Sequence, residues 1–206
     1  MTPQEKAETI KRYEDRYARL GAGAQALGWR DQAQQELRFT VLAQVDELDG
    51  KSVLDVGCGF GDFYEYLLRQ GKRPHYVVID VAPTLLDVAR QRHPGVRFEE
   101  RDLLAQPMSE GFDYVIESGV FNHRLSDNER FTRDMLAAMY AASRCGVAAN
   151  LMSHHVDYQE DHLYYYSPEA YLEYGRTVSR FVTVRHDYPL YEFTIYMYRT
   201  PRAVQP

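Results

Sequence analysis

Three aspartates stand where an apolar run gives way to a turn: Asp55 in VLDVG, Asp80 in VVID and Asp102 in FEERD. Gly57, Gly59 and Gly61 follow the first of them, with Cys58 and Phe60 between. Glycine carries no side chain, so a flat or charged ligand can come close to the main chain there. The helix expected next offers unpaired N–H groups. The dinucleotide fingerprint needs a glycine at position 62, and this chain has Asp62. An acid two residues before the first glycine repels a pyrophosphate and suits a cation. Asp80 lies 23 residues after Gly57 (80 − 57), where an acid at a strand end is placed to bind ribose hydroxyls. A single acid at a strand end is ordinarily a turn or helix cap. Three on successive strands define a crevice for a ligand with a cationic group and a ribose.

The elements that must position these acids are legible from periodicity. Apolar positions three and four apart predict helices over 4–20 and 31–48, the second capped by Asp31. Strands are predicted at 51–56, 75–81, 96–101, 112–118 and 146–152, with helices after 61, over 83–92 and over 126–144. Several of these strands are apolar throughout, as strands buried on both faces are. Strands alternating with helices predict an open parallel α/β sheet with helices on both faces. Residues 153–167 show no period, and Ser167 and Pro168 open a short helix to about 176. The runs FVTVRHDYP and EFTIYMYR predict two more strands, an antiparallel pair on one edge.

The chain has 206 residues, which predicts one domain. Residues 1–49 are expected as a helical lid or cap of that domain, and 50–206 as its ligand-binding body, with 153–178 a substrate-side insertion. The charge balance of 24 Lys and Arg against 30 Asp and Glu gives a net −6, which disfavours a phosphate-backbone partner. Two cysteines make no disulfide scaffold, the first twenty residues have no apolar core, and no apolar run reaches ~18 residues. The reading is a cytoplasmic protein with no nucleic-acid partner and no membrane segment; composition leaves its oligomeric state open.

The stretches VLDVGCGFGDF (53–63), VVIDVAPTLLDVAR (77–90), FEERDLL (98–104) and FDYVIESGVFNH (112–123) resemble class I S-adenosylmethionine-dependent methyltransferases. The resemblance implies a Rossmann-like, doubly wound, mostly parallel seven-stranded sheet with its last strand antiparallel. It implies S-adenosylmethionine as cofactor and S-adenosylhomocysteine as product. Gly57, Cys58 and Gly59 would line the methionine portion, with Asp55 holding its charged end. Asp80 would bind the ribose, Val81 would pack on the adenine, and Asp102 and Leu103 would meet the adenine edge. Glu117 would lie near the methionine amino group through its main chain, and Trp29, with Tyr13, Tyr17 and Arg38, where a lid would cover the cofactor. After the fourth strand the chain reads Glu117-Ser-Gly-Val-Phe-Asn122-His123 rather than Asn-Pro-Pro-Tyr, which disfavours DNA adenine methylation. Two thiols disfavour arsenic methylation.

Methyl transfer is an in-line displacement, so holding the acceptor against the methyl carbon supplies much of the rate. A base is needed only where the acceptor must lose a proton, and His123 is the candidate for that catalytic role. His154, His155, Tyr158 and Tyr165 belong to a His-, acid- and tyrosine-rich segment expected to face the substrate. No pair there has a spacing that fixes a metal, and none is expected. The tyrosines crowding 158–174 make this segment the expected acceptor wall. The leading function is methyl transfer to O or N of a small molecule. The competing readings are a noncatalytic cofactor-binding protein, a nucleotide-dependent oxidoreductase, and a protein methyltransferase.

Overall fold

A computed structural model describes residues 1–202. Seven strands form one sheet in the order β3-β2-β1-β4-β5-β7-β6: β1 (Ser52–Val56), β2 (His75–Asp80), β3 (Arg97–Glu100), β4 (Phe112–Ser118), β5 (Ser143–Met152), β6 (Phe181–Arg185) and β7 (Glu192–Tyr198). The first five pair in parallel, and β7 runs antiparallel to both β5 and β6. The expected seven-stranded sheet is therefore observed, with the fully buried β7 inside and β6 as the edge.

The helices are α1 (Pro3–Leu20), α2 (Gln32–Leu42), α3 (Asp62–Arg69), α4 (Pro83–Arg92), α5 (Asn128–Ala142) and α6 (Pro168–Val178). The single helix expected over 31–48 stops at Leu42 and tightens into a 3-10 turn, Ala43–Val45. Strand periodicity sorts the core into two layers. Leu54, Val56, Val115, Val147 and Ile195 join the layer under α5 and α6, whereas Val53, Tyr114, Ile116, Ala148 and Tyr196 join the layer with Phe39, Leu42 and Leu67.

Strand order reverses between β1 and β4, and open α/β sheets bind ligands at such a switch point, beyond the carboxyl ends of the strands. Helix α1 lies across that edge and is fastened at both ends. Thr2 and Glu5 form a capping box, and a Glu5 carboxylate oxygen also accepts from the Ser126 N–H at 2.6 Å. These backbone donors hold the Glu5 carboxyl down at about 2. Lys6 Nζ meets Asp102 at 3.1 Å, and the Thr84 hydroxyl donates to Glu14 at 2.6 Å. Beneath, Ile10, Tyr13, Tyr17 and Leu27 pack on Ala26, Phe60, Ala82 and Leu85.

Candidate active site

The switch point opens into a cleft of about 1190 Å³. Its lining includes Asp55, Gly57, Cys58 and Gly59 after β1, Asp80 and Val81 after β2, and Asp102 and Leu103 after β3. Trp29 and His123 join them from outside the sheet. Ten of the eleven residues read from the sequence as cofactor-binding or catalytic therefore share one cavity; Glu117 is the exception.

The glycines are required by close approach. Gly57 sits at φ +74°, and a Cβ there would come 2.2 Å from Val120 Cγ2. Gly59 sits at φ +56°, and a Cβ would meet both Leu27 methyls within 3 Å. Asp80 fixes the loop: one carboxylate oxygen accepts from Gly59 N at 2.9 Å and the other from Ala82 N at 2.9 Å. Each oxygen keeps a second lone pair. Asp102 caps its own turn by accepting from Leu104 N at 3.1 Å.

Burial governs the charges. The Asp55 carboxyl accepts from the Tyr76 hydroxyl at 2.9 Å, yet desolvation, with Asp80 and Asp62 near, pushes it up to about 7. Desolvation also raises Asp80, against the pull of its backbone donors. Cys58 is buried beside three carboxylates, and its thiol is pushed well above its ordinary value. It is thus a neutral donor to the Gly59 carbonyl, not a nucleophile. Glu117 turns its side chain into the interior, where it is wholly buried, accepts from Val120 N and leaves Oε2 unpartnered. Burial raises it well above the ordinary range, so its acid form is favoured.

A second, wider cavity of about 2030 Å³ adjoins the first, and Tyr13, Leu27, Trp29, Gly119 and His123 line both. Trp29 has the Arg38 guanidinium 4.2 Å from its ring centroid, and Gly119 makes room for it, since a Cβ would come 2.7 Å from the indole. Arg38 in turn pairs with the buried Glu192, which also accepts from Asn150 at 3.0 Å. His123 is 8% exposed, with Nδ1 unpartnered and the Tyr13 ring edge-on at 5.9 Å. Burial, then Arg12 and Arg16, drive its pKa down to about 3. That value suits a neutral imidazole in a hydrogen bond and not the proton acceptor expected at pKa ~6.5.

The tyrosine-rich segment is placed differently from the sequence expectation. Tyr158 lines the second cavity, but His154, His155 and Tyr165 line neither. Tyr165 Oη accepts from Glu160 N at 3.0 Å, within its own loop. His154 and His155 converge outside the cavities on Glu169, at 3.9 and 3.1 Å. Tyr166 and Tyr171 are core residues, with Tyr166 donating to the Phe121 carbonyl at 2.9 Å and Tyr171 to Glu129 at 3.3 Å. Tyr166 and Tyr171 seat the segment on α5 and β7, since each of these two rings is covered and its hydroxyl finds an acceptor. Sequence reasoning missed Gly119, Leu27 and the arginines Arg12 and Arg16. The spacing Arg12, Arg16, Arg19 (i, i+4, i+7) places the arginines on one helix face and is the signal that could have found them.

A family profile described as "Methyltransferase domain" matches residues 53–146. The chain is 37% identical over 161 residues to the provisionally named methyltransferase Rv1506c of Mycobacterium tuberculosis, covering 73% of this chain and 95% of that one. It is 31% identical over 100 residues to a trans-aconitate 2-methyltransferase of Sinorhizobium fredii, covering 48% of this chain and 38% of that one. In fold it is similar to a DhpI–SAH complex, with TM-score 0.66, 16% identity and 96% of each chain covered. It is also similar to the SAH-bound magnesium protoporphyrin IX methyltransferase of Synechocystis PCC 6803, with TM-score 0.65, 15% identity, and 95% of this chain and 99% of that one covered. The chain belongs to the class I S-adenosylmethionine-dependent methyltransferase family. Among the described residues, no helix is long and apolar enough to cross a membrane.

Proposed function

We propose that this protein transfers the methyl group of S-adenosylmethionine to an oxygen or nitrogen of a small molecule that enters through the second cavity. The observation that carries this reading is the shared wall: Tyr13, Trp29, Gly119 and His123 line both the acid-and-glycine cleft and the wider cavity beside it. A donor in one and an acceptor in the other meet there. The cofactor supplies an electrophilic methyl group on a cationic sulfur.

The chain's own residues position and exclude water. Gly57, Cys58 and Gly59 give the methionine portion a bare main chain to lie against, and Asp55 answers its positive charge. Glu117 lies beneath, its main chain near the amino group. Asp80 uses its remaining lone pairs on the ribose hydroxyls, while Val81, Asp102 and Leu103 frame the adenine. His123 orients the acceptor as a neutral hydrogen-bonding group. Tyr158 lines the acceptor's route; His154, His155 and Tyr165 support the 153–178 segment from outside it. Residues 1–49 form the lid, with Trp29 as the partition between the two ligands. Names among the similar chains, such as trans-aconitate 2-methyltransferase, support a small acceptor.

The test is turnover with methyl-labelled S-adenosylmethionine against a panel of small acids, phenols and amines. Labelled product with release of S-adenosylhomocysteine is expected. Cofactor binding without transfer to any class would replace this reading with a noncatalytic one.

A further inference from the structure

The two cavities differ in the charge left unanswered. In the second, Arg38 is paired with Glu192, Arg30 with Asp31, and Glu160 with His162. Arg16 and Arg19 also line it, yet among the described residues neither they nor Arg12 make an ion pair. Nη1 of Arg16 and Nη1 of Arg12 are buried with no hydrogen-bond partner. Gly28 makes room for the first, since a Cβ there would come 2.8 Å from Arg16 Nη1. A guanidinium stays charged at any physiological pH, so an unpartnered buried face of it calls for an anion. Its planar fork matches the two oxygens of a carboxylate.

Resting on the methyltransferase reading above, we propose that the acceptor is a small carboxylic acid, held by Arg16 with Arg19 beside it, and methylated on a carboxylate oxygen. Proton chemistry at the shared wall agrees. Burial lifts Tyr13 to about 12 and drives His123 down to about 3, so neither exchanges a proton near neutrality. A carboxylate needs no such exchange, because it arrives ionised at an ordinary pKa of about 4. A lone pair on its oxygen forms the new O–C bond as the methyl C–S bond breaks. The bonding pair goes to sulfur, which becomes a neutral thioether. The carboxylate's negative charge and the sulfonium's positive charge disappear together, and no proton is released. The methyl ester has lost the charge that Arg16 held, which favours its departure.

The full-length chain saturated with S-adenosylhomocysteine is titrated with citrate and with benzoate, reading the fluorescence of Trp29, the single tryptophan. Tyramine, catechol and phenyl phosphate serve as comparators. At least one acid is expected to saturate, more tightly than any comparator. Arg16→Gln should weaken it about tenfold or more, the scale of a charge-assisted hydrogen bond, and Arg16→Lys should restore part of the loss. With methyl-labelled cofactor the bound acid should yield a product that alkali converts to labelled methanol, as an ester does. Homocysteine-form cofactor that binds while both acids fail, acid affinity unchanged in Arg16→Gln, or label transferred to a comparator in alkali-stable form would each overturn the proposal. Failure of S-adenosylhomocysteine itself to bind would overturn the methyltransferase reading instead.

Discussion

The cleft over the sheet and the cavity beside it are built by opposite rules. The cleft is made from strand ends and is acidic: Asp55, Asp80 and Asp102 come from three neighbouring strands, and the sheet fixes their spacing. The second cavity is made from α1, the 3-10 turn Ala24–Leu27, and loops around 119–123, 158–163 and 188–192, and its unpaired charges are arginines. A sheet edge presents the same main-chain geometry to the same ligand, whereas a cavity walled by helices and loops can change its charge without disturbing the core. One chain of net charge −6 thus carries an acid-lined cleft and an arginine-lined cavity that share a wall.

The largest effect should come from the strand-end side. Gly57→Val places a side chain at φ +74° and against Val120, so it should abolish detectable cofactor binding by calorimetry while the second cavity keeps its affinity for acids. Loss of both would show that the two cavities are one unit. Next, Asp80→Ala should weaken S-adenosylhomocysteine about 10- to 100-fold, the worth of hydrogen bonds to a charged group. Asp80→Asn keeps the shape but turns one acceptor into a donor, and should fall between it and the unaltered chain. Equal affinity in all three would remove the ribose assignment.

The cleft was legible because its signals are local. Acid, glycine and strand end lie within a few residues of one another, as in Asp55 to Gly61, and the sheet does the rest. The second cavity joins residues more than a hundred apart, such as Arg16 and Tyr158, through loops without period. Tyrosine enrichment near 158–174 pointed to a wall, but Tyr166 and Tyr171 are packing residues. Composition cannot distinguish a ring that covers a core from one that faces a ligand. His123 was found in place, but its pKa of about 3 follows from burial and from arginines a hundred residues away.

Two smaller effects sharpen the contrast. Lys6→Ala cuts the half-exposed tie between α1 and Asp102, and should raise the cofactor KM by no more than about fivefold. A change in kcat alone would mean that α1 acts on chemistry and not on closure. Asp55→Asn should stabilise the protein more at pH 8 than at pH 5. Its folded-state pKa of about 7 lies above the ordinary carboxyl value, so its contribution is fully present below about pH 4, falls as pH rises from there and is gone once pH passes 7. Thermal melts would show this as a rise of about 2–4 °C for each kcal/mol recovered; a larger gain at pH 5 than at pH 8 would reverse the sign.

The most direct measurement is calorimetry of S-adenosylmethionine binding to the unaltered chain at pH 6 and pH 8. Asp55 goes from mostly protonated to mostly ionised across that interval, so a cation held beside it should bind about tenfold more tightly at the higher pH. The same titration in Asp55→Asn should lose the pH dependence. No binding of the sulfonium at millimolar concentration at either pH would contradict the central claim that this cleft is built for it.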